Sequence, residues 1–248
     1  MTLLESEIRR EAEALGVWYH SIKLTGDYAP PSRMAESQAT VWQATRNIRA
    51  GINYSGRSVL DLGSLEGMWA FEAEQLGAKI IVASDKFQMC GSEMFDRFCL
   101  ARFCRQSKVF YVTNADVHCL QSRVASVMRL FDLADKGFDI IQCTGLLYHV
   151  QHPLLALQEI RRCSHVGSSL LLETACSNGS DSVAAFNLDG RIYGDPVTYW
   201  VPTMRCLMDM LRLSGFAVRE STVVNARTDR VSLVADAVEF EDRERILG

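Results

Sequence analysis

Two short apolar segments, joined by a glycine-containing turn and a helical pattern, constrain this chain more than any other feature. The first segment, Ser58–Leu62, leads into the turn Gly63-Ser-Leu-Glu-Gly67, and the second, Lys79–Ser84, ends at Asp85. A helix from about Glu66 to Gly77 would join them as parallel strands, which is the opening half of a nucleotide-binding β-α-β unit. The acid at the end of the second strand is placed to bind the two hydroxyls of a ribose.

The chemistry of the turn predicts a ligand without phosphate. Asp61 and Glu66 flank the turn that contains Gly63 and Gly67, and two carboxylates would repel a diphosphate. They would suit a cation, and S-adenosylmethionine carries a sulfonium and an ammonium group but no phosphate. We therefore predict a cofactor with adenosine at one end and positive charge at the other. The alternative is an ordinary strand-turn-helix corner that binds nothing.

The composition is that of one α/β domain with additions. The chain has 248 residues, of which 48% are hydrophobic, enough for one sizeable core. Its net charge is −4, and no basic block predicts strong binding to nucleic acid phosphates. The eight cysteines form no Cys-x-x-Cys pair, so we expect reduced thiols, no metal centre and no iron–sulfur cluster. We further expect a cytoplasmic protein without a membrane span.

Apolar strand patterns alternate with helical patterns along most of the chain, which is typical of a parallel sheet covered by helices. We predict a Rossmann-like α/β fold with a seven-stranded mixed sheet, in which a parallel core is followed by an antiparallel edge hairpin. Residues 1–50 are predicted to form an N-terminal helical cap, and 51–248 the main domain with an insertion at 177–202. Strands are expected near 58–62, 79–84, 108–113, 138–143, 168–174, 216–224 and 229–237, and helices near 3–15, 32–50, 66–77, 88–105, 118–131, 153–164 and 203–214.

Candidate ligand groups follow each of the first four predicted strands of the sheet. Ligands of open α/β sheets bind where the strands end, so these groups are expected to lie together. Asp61 and Gly63 would hold the amino-acid end of the cofactor, Asp85 the ribose and Asp116 the adenine amino group. For Asp116, capping of a helix is an equal alternative. The predicted cofactor-binding residues are Asp61, Gly63, Ser64, Gly67, Asp85, Lys86, Asn114, Ala115, Asp116, Val117 and Thr144.

Tyr148 and His149 follow the fourth strand, where a transferred group would emerge, and are the candidate catalytic residues. His149 would accept a proton from the acceptor, or alternatively fix the shape of its loop. Aromatic residues outside the sheet would wall an acceptor pocket, or alternatively attach the cap and insertion to the core. The predicted acceptor-binding residues from this reasoning are Trp18, His20, Tyr148, Tyr193, Tyr199 and Trp200.

These motifs together resemble class I S-adenosylmethionine-dependent methyltransferases. The segments Trp18–Leu24, Gly145–Pro153, Leu170–Thr174 and Tyr199–Pro202 are similar to one subgroup of them. That subgroup contains the tRNA wobble-uridine carboxymethyltransferase and many small-molecule methyltransferases. The resemblance covers roughly residues 15–236 and implies S-adenosyl-L-methionine as cofactor.

One departure from the subgroup bears on the substrate. The carboxymethyl-transferring members share a basic segment, whose lysine helps hold an additional carboxylate on the cofactor. This chain has Leu15-Gly-Val-Trp-Tyr-His20 there and no matching lysine, although Tyr148 matches a residue of that site and Arg230 corresponds to its arginine. The resemblance therefore implies methyl transfer to a small molecule, of the natural-product or sugar tailoring type.

Two other functions are kept as alternatives. The first is tRNA wobble-uridine carboxymethylation, with tRNA as the less favoured partner. The second is a non-catalytic, cofactor-binding regulatory subunit, which would be indicated by an occluded pocket. The sequence leaves a homo-oligomer open.

Overall fold

A computed structural model describes residues 4–86, 91, 93–192, 194–225 and 229–239. The predicted alternation of strands and helices is confirmed, with element ends shifted by a few residues. The elements in chain order are α1 (Glu5–Ala14), α2 (Ala35–Arg49), β1 (Ser58–Leu62), α3 (Met68–Gln75), β2 (Ile80–Asp85), α4 (Glu93–Cys104), β3 (Phe110–Thr113), α5 (Leu120–Leu130), β4 (Phe138–Thr144), α6 (Pro153–Arg162), β5 (Ser164–Ala175), β6 (Ala184–Phe186), β7 (Trp200–Pro202), α7 (Met204–Leu213), β8 (Phe216–Asn225) and β9 (Asp229–Ala237).

The main sheet has the strand order β3-β2-β1-β4-β5-β9-β8. The first five strands pair in parallel, while β9 and β8 are antiparallel and close one edge. The predicted seven-stranded mixed sheet is thus confirmed. The chain builds outward from β1 to β3 and then returns to place β4 on the other side of β1. The carboxyl ends of β1 and β4 therefore form the switch point at which ligands of such sheets bind.

The core lies on both faces of the sheet, which explains why the strands read as continuous apolar runs. Every residue of β1 is buried, because helices cover it from both sides. Helices α5, α6 and α7 pack on one face through residues such as Val124, Leu157 and Leu211. Helices α1 to α4 pack on the other, where Phe71 and Phe98 stack with ring centroids 5.3 Å apart.

The residues that precede β1 pack into this core. Trp18 is fully buried, and its indole N–H donates to the carbonyl of Ala12 in α1. Helix α2 lies against β9, where the Thr45 hydroxyl is 2.8 Å from that of Ser232. Ser32 Oγ accepts the Ala35 N–H as a cap would, but the helix begins at Ala35 rather than directly after Ser32. A separate cap of residues 1–50 stays a prediction.

Residues 177–202 lie between β5 and α7, and their assignment as an insertion stays a prediction. They contain the short strands β6 and β7, which pair antiparallel as a two-stranded sheet.

Across the part of the chain that the structure describes, no helix is long and apolar enough to cross a membrane.

Gly67 provides a test of the packing between α3 and α4. Its φ is 92°, and a Cβ atom built there would lie 2.7 Å from Phe98 Cδ2. We expect Gly67→Ala to lower the free energy of unfolding by about 2–4 kcal/mol, since overpacking adds to the strain of a left-handed backbone. Gly56→Ala is the control, because φ there is 73° but no atom lies within 4 Å. Urea denaturation that gives equal losses for both variants would contradict the packing argument.

Candidate active site

A cavity of about 390 Å³ opens at the carboxyl ends of β1, β2 and β4. It passes from the end of β2 and the residues that follow β3, across the turn after β1, to the segment after β4. Its walls are formed by Tyr19, Leu62, Gly63, Leu65, Ser84, Asp85, Lys86, Ala115, Asp116, Val117, His118, Leu120, Gly145, Leu146, His149, Val150, Gln151 and Tyr199.

One end of this cavity carries the acids predicted to bind a nucleoside. Asp85 accepts the backbone N–H of Leu65 at 3.0 Å, which ties the end of β2 to the turn after β1. Asp116 accepts from Lys86 Nζ at 2.5 Å and from the backbone N–H of His118. Burial raises the pKa of the Asp116 carboxyl, but the Lys86 ammonium and the His118 N–H outweigh it and lower this pKa to about 2. Asp116 thus caps the turn after β3 and also lines the cavity.

Asp61 lies behind the turn rather than in the cavity wall. It is fully buried and accepts from Ser64 Oγ at 2.5 Å and from Gln142 Nε2 at 3.3 Å. Burial raises the pKa of Asp61 to about 7, which those two hydrogen bonds only partly offset. Gln142 in turn accepts from the hydroxyl of Tyr54 at 2.8 Å. Asp61 and Ser64 therefore act on the shape and charge of the turn, without lining the space a cofactor would fill.

Glu66 connects the same turn to the N-terminal part of the chain. Its carboxylate accepts the backbone N–H of Tyr19 at 2.6 Å and lies 2.9 Å from His20 Nδ1. Burial raises the pKa of Glu66, but the hydrogen bond and charge of His20 outweigh it, so the net shift is downward. Glu66 is thus an anion that anchors residues 19–20 over the turn. It lines neither cavity, so it does not face a space in which a cationic ligand could bind.

A second, smaller cavity, which we call the inner pocket, adjoins the first. It has a volume of about 50 Å³ and shares Tyr19, Gly63, Leu65 and Gly145 with the large cavity. Helix α2 and the N-terminal segment cover it. Its walls are formed by Tyr19, His20, Gln38, Trp42, Thr45, Gly63, Leu65, Trp69, Thr144, Gly145, Tyr148, Glu173 and Arg230.

A buried ion pair forms the far wall of the inner pocket. Arg230 donates to both carboxylate oxygens of Glu173, at 2.7 and 2.8 Å, and to the hydroxyl of Tyr148 at 3.0 Å. Burial raises the pKa of Tyr148 above its ordinary value, and the nearby Arg230 charge opposes this without cancelling it. Tyr148 therefore keeps its proton at neutral pH and is a hydrogen-bond donor rather than a base.

His149 faces the large cavity with a defined tautomer. Its Nδ1 lies 2.9 Å from the carbonyl oxygen of Val197, which can only accept, so Nδ1 carries the hydrogen. The lone pair is then on Nε2. Burial lowers the pKa of His149 below its ordinary value of 6.5, more than the hydrogen bond to Val197 raises it. A neutral imidazole with a free Nε2 can both accept a proton and hold the insertion against the loop after β4.

The predicted residues that the structure describes divide into four groups by position. Gly63 lines both cavities; Asp85, Lys86, Ala115, Asp116, Val117, His149 and Tyr199 line the large one, and His20, Thr144, Tyr148 and Arg230 the inner pocket. The residues that line neither cavity are Asp61, Ser64, Gly67, Asn114, Trp18 and Trp200, and their roles in binding stay predictions. Tyr193 lies outside the described residues.

Packing accounts for the positions of three of these residues. Trp18 is taken up by the core beneath α1. Trp200 donates its indole N–H to the carbonyl of Gln151 and packs on Phe186, with ring centroids 4.9 Å apart. Gly67 is glycine because Phe98 occupies the space of a side chain.

Several residues of the inner pocket were not predicted from the sequence. Trp42 and Trp69 look like ordinary helix core residues, and nothing in the sequence sets them apart. Glu173 did offer a signal, because a carboxylate within the apolar run Leu170–Thr174 requires a buried partner.

Comparisons with known proteins identify the family of this chain. The methyltransferase domain family matches residues 34–221. The chain belongs to this family. It is 28% identical over 177 residues to the tRNA U34 carboxymethyltransferase of Campylobacter hominis, covering 71% of this chain and 55% of that relative. A protein of the same name from Dichelobacter nodosus is 25% identical, covering 81% of this chain and 54% of the relative. The chain thus spans about half the length of the curated relatives it matches.

Solved structures show the same fold. The N-terminal domain of EvdMO1 with S-adenosylhomocysteine bound superposes with a TM-score of 0.64 at 22% identity, covering 95% of this chain and 98% of that chain. The same domain in the presence of S-adenosylhomocysteine and D-fucose gives a TM-score of 0.65 at 20% identity, with the same coverage. The prediction of a class I S-adenosylmethionine-dependent methyltransferase is confirmed at the level of family, fold and cofactor class.

The raised pKa of Asp61 predicts a pH-dependent stability. Between about pH 4 and 7 the folded protein keeps a proton that the unfolded chain has lost, so stability falls as the pH rises. As the pH is raised from 5 to 8, the stability of Asp61→Asn relative to that of the wild type should increase by a few kcal/mol. Asp135→Asn, on an exposed turn, controls for the loss of one charge. Urea denaturation at both pH values measures the free energy of unfolding. An equal change with pH in wild type and Asp61→Asn would contradict the prediction.

Proposed function

We propose that this protein transfers the methyl group of S-adenosylmethionine to a neutral small molecule, of the kind modified in natural-product or sugar tailoring. The observation that carries this proposal is the pair of adjoining cavities, which share four lining residues. One is large enough for the cofactor, and the other is a small polar pocket whose only permanent cation among the described lining residues, Arg230, is already paired with Glu173. The neighbouring structure obtained in the presence of D-fucose supports a sugar as one acceptor class.

The large cavity has suitable groups for each part of the cofactor. Asp85 would accept the ribose hydroxyls, and Ala115 to Val117 would contact the adenine. Gly63, at the boundary of the two cavities, would let the backbone approach the methionine portion; its φ is 65° and a Cβ there would meet Leu146 at 3.3 Å. Asp61, behind the turn, favours a cationic ligand when it is ionised.

The side chains of this protein contribute mainly by positioning the acceptor. When bound, S-adenosylmethionine supplies an activated methyl group on a sulfonium and leaves as S-adenosylhomocysteine. The walls of the inner pocket hold the acceptor behind the methyl carbon and exclude water. For a hydroxyl acceptor, His149 Nε2 would accept the displaced proton. Tyr148, which keeps its own proton, would orient the acceptor.

tRNA carboxymethylation remains the second candidate because the curated relatives carry that name. A carboxymethyl group would need an unpaired cation in the inner pocket, whereas Arg230 is held by Glu173. Binding of tRNA would also need phosphate-neutralising cations, on a chain of net charge −4. Retardation of tRNA that weakens steeply with salt would favour this candidate. A regulatory subunit without turnover is disfavoured by the open, adjoining cavities.

Asp85 is the sharpest test of the cofactor site. We expect Asp85→Ala to weaken binding of S-adenosylmethionine by about tenfold or more, since a hydrogen bond to a charged acceptor contributes roughly 1.5–3 kcal/mol. Asp135→Ala, on an exposed turn, should bind normally. Isothermal titration calorimetry measures both affinities. An unchanged affinity in a folded Asp85→Ala protein would remove Asp85 from the site.

His149 is tested through the pH dependence of turnover. Its pKa is lowered by burial, so the rate should rise with pH through a value below 6.5 and then level off. We expect His149→Asn to lower the chemical rate by about 10²–10⁴-fold and to abolish that rise. His165→Asn is the control, because His165 lies at the amino end of β5, whereas the cavity lies at the carboxyl ends of the parallel strands. Single-turnover rates of wild type and His149→Asn that agree within a few-fold would show that His149 only shapes the loop.

A further inference from the structure

The inner pocket contains two hydroxyl groups with unused hydrogen-bonding capacity. Thr144 Oγ1 is buried and has no hydrogen-bond partner among the described residues. The Tyr148 oxygen accepts from Arg230, so its own hydrogen is free to donate, and no described group receives it. Leaving a buried hydroxyl unsatisfied is costly, and a ligand in the pocket would remove that cost.

The charges in the same walls are balanced. The Arg230 guanidinium is bonded to both oxygens of Glu173 and to Tyr148, and His20 is bonded to the Glu66 carboxylate. An anion that entered would therefore compete with Glu173 for Arg230 and would be repelled by the Glu173 carboxylate. A neutral hydroxyl group meets donors and acceptors with no such repulsion.

These polar groups lie at the junction with the large cavity. A Cβ atom built on Gly145, which lines both cavities, would be 3.9 Å from Tyr148 Oη and 3.9 Å from Glu173 Oε2. Thr144 directly precedes this residue at the end of β4. Indole and phenol rings of Trp42, Trp69 and Tyr19 complete the walls. A group held by Tyr148 and Thr144 would thus sit beside the boundary that Gly63 and Gly145 form.

We propose that the inner pocket is the acceptor subsite and that it selects a neutral, hydroxyl-bearing group, as found on alcohols and sugars, over a carboxylate. Tyr148 and Thr144 bind the hydroxyl group, and Glu173 determines the selectivity by cancelling the charge of Arg230. This inference rests on the proposed methyl transfer, because it assigns the pocket to the acceptor.

Two small probes with the same carbon skeleton test the selectivity. Protein saturated with S-adenosylhomocysteine is titrated with 2-fluoroethanol and, separately, with fluoroacetate, and binding is followed by ¹⁹F NMR. We expect 2-fluoroethanol to bind at least roughly fivefold more tightly than fluoroacetate, the equivalent of about one hydrogen bond. Glu173→Gln, which leaves Arg230 unbalanced, should reverse this order.

Two isosteric variants test the hydroxyl contacts without a change of charge. Thr144→Val and Tyr148→Phe should each weaken 2-fluoroethanol binding by roughly threefold or more, since each removes one hydrogen bond. Thr113→Val, at the exposed end of β3, should have no effect. These variants keep the proposal testable even if Glu173→Gln does not fold.

The outcomes separate this inference from the proposed function. If S-adenosylhomocysteine itself does not bind in calorimetry, the proposed function fails. If it binds but 2-fluoroethanol does not, or fluoroacetate binds equally well to the wild type, the acceptor subsite is overturned. Binding of 2-fluoroethanol that is unchanged in both Thr144→Val and Tyr148→Phe also overturns it, because the probe would then occupy another part of the protein.

Discussion

Two buried carboxyl groups, Asp61 in β1 and Glu66 in the turn that follows it, hold the site together, and their pKa values are shifted in opposite directions. Glu66 is an anion, because it accepts from the backbone of Tyr19 and from His20. Asp61 accepts from Ser64 and Gln142, but burial outweighs these hydrogen bonds and raises its pKa to about 7. Glu66 holds the N-terminal segment over the turn, where this segment covers the inner pocket. Asp61 shapes the turn through its hydrogen bond with Ser64, and its pKa depends on the charge of a ligand bound on the other side of the turn.

The polarity of the inner pocket follows from a similar balance of charges. Arg230 is contributed by the antiparallel strand β9 and Glu173 by the neighbouring strand β5, where Glu173 and Ser232 are register partners. A buried arginine without a carboxylate would be costly, and with one it offers directional hydrogen bonds but little net charge. The specificity that we propose is therefore a consequence of strand pairing at the switch from parallel to antiparallel sheet.

Sequence patterns predicted the sheet well because both of its faces are buried, which makes each strand a continuous apolar run bounded by turn residues. Asp85, Asp116 and His149 were placed at the cavity for the same reason, since strand ends converge at one edge. The pattern was less informative for Trp18 and Trp200. An aromatic side chain in an irregular segment can face a pocket or the core, and only the surrounding packing decides between them.

The order of residues along the chain determined by itself that this is a parallel-sheet nucleotide-type fold with acids at its strand ends. The tertiary structure decided which of those acids line the large cavity. Asp61 and Glu66 are near neighbours along the chain, yet Asp61 also accepts from Gln142 and Glu66 is bonded to His20, and both of these partners are distant in sequence. Local sequence specifies the backbone of a turn, whereas the ionisation and orientation of its buried side chains depend on groups that only folding brings near.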